Sequence, residues 1–256
     1  MQMISDYWDK KAKQLKRDPA ATMGDVCLRE LEIEAILKHI KKSDNVLDAG
    51  CGNGYTTAIA AKKAKSILGI DFSQEMINQS NQIKSSLKKK LKNIDFCQMD
   101  ILNLQFKKNS FDVAISERCL INVQSWQNQK KALLQLKKVL KPKGRLLMIE
   151  GTKQGLAGLN KARKDVGLHE IKKHWHNVLF DRKVFDKFIK QHYKVVDIQS
   201  FGSYYFISRI VHPLLVAPKQ AQFKAKINQI AQKVALAMPA FDDISINNLY
   251  VLQPKK

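Results

Sequence analysis

A glycine-rich loop carries the most specific chemical information in the sequence. Gly50, Gly52 and Gly54 occupy every second position after a short apolar segment and before a helical pattern. Because glycine lacks a Cβ atom, such a loop lets the backbone approach a ligand closely. Dinucleotide sites use the spacing G-x-G-x-x-G, and Tyr55 stands where the third glycine of that motif would be. The spacing therefore disfavours a site for NAD or FAD.

Two acidic residues follow the next two predicted strands. Asp71 lies 17 residues after Gly54, at a strand end where a carboxylate can accept hydrogen bonds from both hydroxyls of a ribose. Asp100 and Ile101 follow the third strand, where a carboxylate can accept from an adenine amino group and a backbone N–H can donate to the ring. Each acid alone is equally well explained as a helix cap or a turn residue. In this order after the glycine loop, they form a specific signal.

The order of these features resembles that of the class I S-adenosylmethionine (SAM) dependent methyltransferases. The resemblance covers roughly residues 44–150 and includes the Lys-Pro-x-Gly turn at 141–144, before the fifth strand. It implies SAM as the cofactor and S-adenosylhomocysteine as the product. The fourth strand, 111–118, lacks both the Asn/Asp-Pro-Pro-Tyr/Phe motif of amino-methylating DNA enzymes and the Pro-Cys motif of 5-methylcytosine enzymes.

The resemblance also implies a role for individual residues. The glycine loop would hold the methionine part of SAM with Asp48 near its amino group, and Asp71 would hold the ribose. Asp100 and the next residue would bind the adenine, with Phe72 and Met76 packed on its face. The predicted cofactor-binding residues are Asp48, Gly50, Cys51, Gly52, Gly54, Asp71, Phe72, Met76, Asp100, Ile101 and Ser116.

Polar residues after the fourth strand are candidates for the acceptor side. Arg118 could orient a carboxylate or phosphate of the acceptor through two parallel hydrogen bonds. Alternatively, it forms a structural ion pair with Glu117 or Glu150. Glu117 is also a reserve candidate for a general base.

Ring nitrogens are dense in residues 167–180. A histidine with a pKa near neutrality could deprotonate an acceptor hydroxyl, and His176 is our candidate for this role. The alternative is a set of structural or exposed histidines on a lid helix. Since His174 and His176 are two residues apart and would not share a helix face, the sequence predicts no metal site.

The most apolar stretch of the chain is 202–216, which Arg209, His212 and Pro213 interrupt. It is too interrupted to span a bilayer. It could close over the active site with Tyr205 pointing inward, or lie at a membrane surface with help from the net charge. We favour a lid or core packing. Glu117, Arg118, His176 and Tyr205 are therefore the predicted catalytic residues.

The elements that must position these residues alternate between strands and helices. The patterns predict an amphipathic helix over 25–41 and strands over 45–49, 67–70, 94–98, 113–116 and 146–149, with helices between them. This alternation predicts an α/β fold with a parallel sheet and right-handed crossovers. Together with the resemblance, it implies a doubly wound, mostly parallel, seven-stranded Rossmann-like methyltransferase sheet. Helical insertions over 151–191 and 203–240 follow strands 5 and 6.

We interpret residues 1–256 as a single methyltransferase domain. Residues 1–43 would form N-terminal helices, with Tyr7 and Trp8 in a lid over SAM. Residues 44–150 would form the SAM-binding core, and 151–256 the insertions that cover the substrate together with the last strands.

Composition limits the classes of protein to consider. Hydrophobic residues make up 45% of the chain and charged residues 27%, which suits a globular core. The four cysteines form no metal or disulfide pattern, and no secretory leader or apolar span is present, so the sequence predicts a cytoplasmic protein. The net charge of +22 would attract phosphate-rich or anionic-lipid partners, although scattered lysines are equally typical of a solvated surface.

The sequence thus predicts a SAM-dependent methyltransferase acting on an oxygen or nitrogen of a small-molecule or glycan-precursor acceptor. Motifs in 151–256 are similar to those of bacterial methyltransferases of surface-polysaccharide biosynthesis, which implies a nucleotide- or lipid-linked sugar as the acceptor. An RNA or ribosomal-protein methyltransferase remains an alternative, in which the basic surface would bind nucleic acid. A SAM-binding module without catalysis is a third possibility.

Overall fold

The computed structural model describes residues 2–87, 89–238 and 241–255. The strands are β1 (Asn45–Ala49), β2 (Ser66–Asp71), β3 (Ile94–Gln98), β4 (Phe111–Glu117), β5 (Leu140–Gly151), β6 (Tyr193–Ser200) and β7 (Asn247–Pro254). The helices are α1 (Gln2–Leu15), α2 (Val26–Leu37), α3 (Tyr55–Ala60), α4 (Gln74–Leu87), α5 (Trp126–Val139), α6 (Lys153–Asp165), α7 (Arg182–His192), α8 (Gly202–Phe206), α9 (His212–Val216) and α10 (Lys226–Ala237).

The strands form one seven-stranded sheet in the order β3-β2-β1-β4-β5-β7-β6. Strands β1 to β5 are parallel, and β7 lies antiparallel between β5 and β6. The prediction of a doubly wound, mostly parallel sheet with insertions after strands 5 and 6 is confirmed. The strand order reverses between β1 and β4, and in open α/β sheets ligands bind at the carboxyl ends of the strands beside such a switch point.

Successive residues of the central strands supply two separate cores, one on each face of the sheet. Leu47 packs on the face covered by α5 and α7, whereas its neighbour Val46 packs on the face covered by α2 and α10. Leu146 and Leu147 divide between the two faces in the same way. Burial on both faces explains why these strands read as continuous apolar runs.

The predicted turn at 141–144 lies inside β5. The register against β4 jumps from Phe111 opposite Leu140 to Val113 opposite Arg145, so the segment forms a wide bulge. A Cβ atom on Gly144 would lie 2.9 Å from the carbonyl oxygen of Lys141. Glycine therefore permits the bulge, and the fifth strand begins six residues before the predicted residue 146.

Both insertions differ in detail from the predicted helical segments. Between α6 and α7 the chain runs through a loop, 166–181, so the histidines predicted on a lid helix lie on irregular backbone. After β6, α8 continues through a π-helical turn, Ile207–Val211, into α9. The last two residues predicted as helical, 239 and 240, lie outside the described residues. Nowhere in the described ranges is a helix long and apolar enough to cross a membrane.

Candidate functional site

A cavity of about 470 Å³ opens at the carboxyl ends of β1, β2 and β4. Its walls come from α1, the glycine loop, the start of α2, the loops after β2 and β4, and the loop between α6 and α7. Eleven of the predicted site residues line it, namely Asp48, Gly50, Cys51, Gly52, Asp71, Phe72, Met76, Glu117, Arg118, His176 and Tyr205. The fold thus brings most of the predicted cofactor and acceptor residues to one cavity.

The glycine loop adopts backbone angles that favour glycine. The φ angles of Gly50, Gly52 and Gly54 are 79°, 53° and 83°, in the left-handed region. A Cβ atom on Gly50 would lie 2.5 Å from the Sγ atom of Cys119. One on Gly52 would lie 2.7 Å from the Cγ2 atom of Thr22. The loop is therefore a close-packed backbone cradle at the cavity wall.

Asp71 connects the end of β2 to this loop. Its carboxylate accepts hydrogen bonds from the backbone N–H of Gly52 at 3.0 Å and of Ser73 at 2.9 Å. Burial raises the pKa of Asp71 to about 6, against the effect of these two donors. The carboxylate lines the cavity, so it both fixes the loop and presents an acceptor to a ligand.

Asp48 is buried at the end of β1. Its carboxylate accepts a hydrogen bond from the hydroxyl of Thr57 at 2.6 Å. Burial raises the pKa of Asp48 to about 7, although that hydrogen bond opposes the shift. The ionised form is therefore costly in the empty site, and a cationic group next to it would favour ionisation.

We expect Asp48→Asn to stabilise the ligand-free protein at alkaline pH. In the unfolded chain the carboxyl group ionises near its ordinary pKa of 3.8, whereas in the native state it stays protonated until about pH 7. Wild-type stability is therefore lost as pH rises through this window. The variant should be more stable by roughly 2 to 4 kcal/mol at pH 8, and the difference should vanish below about pH 4. Urea unfolding measures the effect, with the exposed Asp95→Asn as the control. Equal stabilities at pH 8 would show that Asp48 ionises freely.

Arg29 is a cavity residue that the sequence analysis missed. Its guanidinium is buried, with one terminal nitrogen on the carbonyl oxygen of Pro19 and the other on the hydroxyl of Thr22. Its Nε atom has no hydrogen-bond partner, and the side chain lines the cavity beside Gly52. A signal existed, since Arg29 and Glu32 lie three residues apart on a helix whose other residues are largely apolar. Pairs with that spacing share a helix face.

Four predicted cofactor residues lie outside the cavity lining. Gly54 packs against Phe96 and Ser80, and Ile101 is buried in the core. Asp100 is exposed, and its carboxylate accepts from the backbone N–H of Leu102 at 2.8 Å. Ser116 is fully buried and donates its hydroxyl to Glu150 at 2.8 Å. In this structure, Asp100 and Ser116 therefore hold local backbone and core groups together.

Glu150 organises the loop that follows β4. Its carboxylate accepts from three successive backbone N–H groups, those of Cys119, Leu120 and Ile121, at 2.8 to 3.0 Å. Burial nevertheless raises its pKa to about 7. Glu150 therefore caps the loop after β4 in this structure, and its hydrogen bonds are made within the protein.

Arg118 forms ion pairs with two buried acids, Glu117 and Glu32. Burial raises the pKa of Glu117, but the guanidiniums of Arg118 and Arg29 outweigh it and the pKa is lowered. The hydroxyl of Thr56 also donates to Glu117 at 2.8 Å. A carboxylate held in this way is a weak base, and this favours the structural alternative for Arg118.

His176 lies under an aromatic cluster that joins α1 to the loop after α6. Its ring centroid lies 4.7 Å from that of Tyr7 and 5.5 Å from that of Trp8. His176 is 6% exposed, and its Nδ1 atom has no hydrogen-bond partner. Burial, followed by the charges of His174, Lys11 and Lys173, lowers its pKa to about 4. The pKa of His176 therefore lies well below the predicted near-neutral value, first because burial disfavours the imidazolium and then because the nearest charges are cationic.

Tyr205 lies on the inner side of α8. It is 3% exposed and lines the cavity, with the guanidinium of Arg209 5.9 Å from the centre of its ring. Burial raises its pKa far above the ordinary value, so the phenol is protonated and acts as a neutral hydrogen-bonding group. Across the described residues there is no group of three or more His, Cys, Asp or Glu side chains that could hold a metal ion.

Comparison with known proteins places this cavity in a family context. A family model described as a methyltransferase domain matches residues 40–181, which span β1 to β5 and the first insertion up to the start of α7. The match includes the glycine loop, Asp71, Arg118 and His176. Residues 182–256, with α8 to α10, lie beyond it.

Individual relatives show the same core. An uncharacterized methyltransferase of Schizosaccharomyces pombe is 34% identical over 115 residues, 43% of this chain and 40% of that protein. The eEF1A lysine and N-terminal methyltransferase of Bos taurus is 28% identical over 148 residues, 57% of this chain and 20% of that protein. The chain thus spans less than half the length of both relatives. The crystal structure of a SAM dependent methyltransferase from Aquifex aeolicus superposes with a TM-score of 0.58 at 17% identity, covering 96% of this chain and 98% of that one.

Proposed function

The chain belongs to the methyltransferase domain family, and we propose that it transfers the methyl group of SAM to an oxygen or nitrogen of a small-molecule acceptor. The observation that supports this proposal is that two sets of residues line the same cavity. On one side lie the glycine loop and Asp71, and on the other lie buried polar atoms of two loops that have no partner.

The residues at the glycine loop fit the chemistry of SAM. The cradle leaves no room for a Cβ atom at Gly50 or Gly52, so the backbone itself would contact the ligand. Asp71 would accept from the ribose hydroxyls. The ionised Asp48 would pair with the amino group of the methionine part, and Arg29, with a free Nε atom, would bind its carboxylate.

Unpartnered hydrogen-bond acceptors point to an acceptor molecule rich in N–H or O–H groups. The Oδ1 atoms of Asn122 and Asn177 and the Nδ1 atom of His176 are buried without partners, and all three residues line the cavity. The amide nitrogen of Asn122 donates to the carbonyl oxygen of Arg118 at 2.7 Å, which fixes the orientation of that side chain. A buried unpaired acceptor is costly, so a ligand that donates to it is favoured.

Cations beside these atoms suggest that the acceptor is anionic. Lys11, Lys172 and Lys173 line the cavity, and none of the three has an ion pair with an acid of the described ranges. A phosphate would neutralise this charge. A hydroxyl or amine on a nucleotide- or lipid-linked sugar combines the donors with the phosphate, and we propose this class of acceptor.

The residues of the chain would contribute mainly alignment and proton transfer. Bound SAM would supply an electrophilic methyl group that needs no further activation. Asn122 and Asn177 would orient the attacking hydroxyl or amine toward it, and the aromatic cluster of Tyr7 and Trp8 would exclude water. His176 is uncharged at neutral pH and can accept the proton of the acceptor. A phosphate near Lys11 and Lys173 would offset their charges and raise its pKa toward the working range.

We expect His176→Gln to lower the methyl-transfer rate to a hydroxyl acceptor by about 100-fold while the affinity for SAM changes little. Radiolabelled SAM measures the transfer, and calorimetry measures the affinity. The matched control is His169→Gln, an exposed histidine of the same loop that does not line the cavity. Equal rates for both variants would remove His176 from the mechanism.

A screen with labelled SAM tests the proposal as a whole. Sugar nucleotides and lipid-linked sugar phosphates should accept the label, whereas short RNA and ribosomal proteins should not. The name of the Bos taurus relative makes a protein substrate the second candidate, and an eEF1A-like protein belongs in the same screen. Labelling of the protein or RNA alone would replace the proposed acceptor class. SAM binding with no labelled product in any arm would indicate a binding module without catalysis.

A further inference from the structure

The second insertion has an extreme charge composition. From residue 198 to residue 241 the sequence contains no aspartate or glutamate, but it contains Arg209, Lys219, Lys224, Lys226 and Lys233. All four lysines are exposed. A stretch of this length with only positive charges carries a local field attractive to anionic surfaces.

The same segment exposes many large apolar side chains. Eight of the seventeen exposed large hydrophobic residues in the described chain lie within its part from residue 206 to residue 241. They are Phe206, Leu214, Leu215, Phe223, Ile230, Leu236, Met238 and Phe241. Leu215 is 69% exposed, and the rings of Phe206 and Phe241 pack against each other at the surface, with centroids 5.6 Å apart. Such a concentration of apolar surface marks a contact site rather than a scattered background.

Helix α10 shows how the two features are combined. Lys226, Ile230 and Lys233 follow one another at spacings of four and three residues and are all exposed, so they lie on one face of the helix. The opposite face buries Asn228 and Ala231 against the protein. An exposed face that mixes lysine with large apolar residues is typical of helices that lie in a membrane interface.

This surface also borders the candidate active site. Phe223 is 49% exposed and lines the cavity, and the guanidinium of Arg209 lies 4.9 Å from the centre of its ring. Tyr205 and Arg209 reach the same cavity from the buried side of the insertion. A surface seated on these residues would therefore lie next to the cavity.

We propose that the lysines and exposed apolar residues of 206–241, here called the basic apolar face, dock on an anionic phospholipid bilayer. Apolar side chains would enter the interface while the lysines contact lipid phosphates and carboxylates. Charge complementarity selects this occupant, because residues 206–241 supply four exposed lysines and no acid. These lysines outnumber Glu30, an exposed acid of α2 whose carboxylate accepts from the amide of Gln232 in α10 at 3.4 Å. The docking does not require methyl transfer, so its test is independent of the proposed function.

Vesicle sedimentation tests the docking. Wild-type protein should bind vesicles of equimolar phosphatidylglycerol and phosphatidylcholine at 0.1 M salt, and should bind pure phosphatidylcholine far more weakly. We expect Lys226→Gln with Lys233→Gln to lower the partition coefficient on the anionic vesicles by about tenfold. The double variant Leu215→Ser with Ile230→Ser changes two positions that are at least half exposed. It should lower the partition coefficient by a similar factor, because apolar contact with the bilayer is lost.

Matched variants elsewhere on the chain control for general effects. Lys107→Gln with Lys108→Gln removes two exposed charges ahead of β4, away from the carboxyl ends of the strands. Val184→Ser removes an exposed apolar side chain from α7, which packs on the opposite face of the sheet. Both should bind anionic vesicles like wild type. Equal losses in the control and face variants, or no binding of wild type to anionic vesicles, would overturn the proposal. Binding to an RNA oligonucleotide with none to vesicles would do the same.

Discussion

Asp71→Ala is expected to weaken SAM binding by at least about 100-fold. The variant lacks the carboxylate at the end of β2, so two charge-assisted hydrogen bonds to the ribose are lost, each worth about 1.5 to 3 kcal/mol. The backbone N–H of Gly52, which donates to this carboxylate at 3.0 Å, would also lose its hydrogen-bond partner. Ligand contact and loop geometry would therefore be lost together. Calorimetric titration with SAM and S-adenosylhomocysteine measures the effect.

The control for Asp71→Ala is Asp95→Ala, an acid on the neighbouring strand β3. Asp95 is 67% exposed and pairs with Lys84 on the surface, so its removal should leave SAM affinity unchanged. Asp71→Asn should give an intermediate loss, because the amide oxygen can still accept from Gly52. An affinity for SAM within about threefold of wild type in folded Asp71→Ala would contradict the proposed cofactor site.

Asp100→Ala tests whether Asp100 binds adenine, as the resemblance implies, or only stabilises its own loop. The resemblance implies that Asp100 binds adenine, whereas the structure places it outside the cavity lining, where it accepts from the N–H of Leu102. If SAM contacts only the residues that line the cavity, this variant should bind SAM nearly as well as wild type. A loss comparable to that of Asp71→Ala would favour the role implied by the resemblance.

Arg118→Leu is expected to destabilise the fold by about 3 to 5 kcal/mol. The substitution leaves Glu32 buried without its cation and removes one of the two guanidiniums near Glu117, and an uncompensated buried charge is among the most destabilising changes a core can undergo. Glu32 is fully buried and Glu117 nearly so. Urea unfolding at pH 8 measures the loss of stability.

The position of the pair explains why the effect should be large. Glu32 belongs to α2, and its carboxylate also accepts from the amide of Asn247 at 3.1 Å, at the start of β7. Glu117 ends β4 and accepts from Thr56 in α3. Arg118 therefore joins elements that are far apart in the sequence, next to the cavity.

The pH dependence of Arg118→Leu identifies the cause. Burial already raises the pKa of Glu32 above its ordinary value in the wild type. Without the Arg118 guanidinium the pKa of Glu32 should rise further, so the variant should lose stability as pH rises above about 4.5, whereas Arg29 remains close to Glu117. The deficit relative to wild type should thus be smaller at pH 5 than at pH 8. Lys84→Leu is the control, since Lys84 and Asp95 form a surface pair with exposed fractions of 41% and 67%, and its loss should cost about 1 kcal/mol or less. A deficit of that size for Arg118→Leu would show that the buried pair contributes little.

The strands and their mostly parallel arrangement were accessible from the sequence because their signals are local. Apolar runs in β1, β2 and β4 reflect burial on both faces, and the helices between them make parallel pairing with right-handed crossovers the simplest solution. The bulge at 141–144 was not accessible in the same way. A Lys-Pro-x-Gly segment is compatible with either a turn or a bulge, and only the pairing of β4 with β5 decides between them.

The candidate site likewise contains some residues that the sequence predicts and others that only the structure reveals. The glycine loop and Asp71 could be predicted because three glycines and an acid follow two successive strands within a short stretch of sequence. Their spacing alone therefore indicates a ligand-binding loop. The unpartnered amide oxygens of Asn122 and Asn177 could not, because nothing in their local sequence distinguishes a buried side chain at a cavity from one on a surface. For Arg29 the only signal was its spacing from Glu32 on a largely apolar helix. The low pKa of His176 likewise depends mainly on burial, where Tyr7 and Trp8 of the N-terminal helix pack against its ring, and less on nearby charges such as Lys11.

The sequence by itself determined that this chain has an α/β core with a glycine loop, since periodicity and glycine spacing act over neighbouring residues, and the order of its motifs gave the resemblance to methyltransferases. Only the tertiary structure decided what the charged residues do. Arg118 lies 86 positions from Glu32, and Glu150 lies 31 positions from the backbone N–H of Cys119. Whether a charge pairs, caps a loop or faces a ligand depends on which distant segment folds against it, because burial and Coulomb energy are set by distance in space.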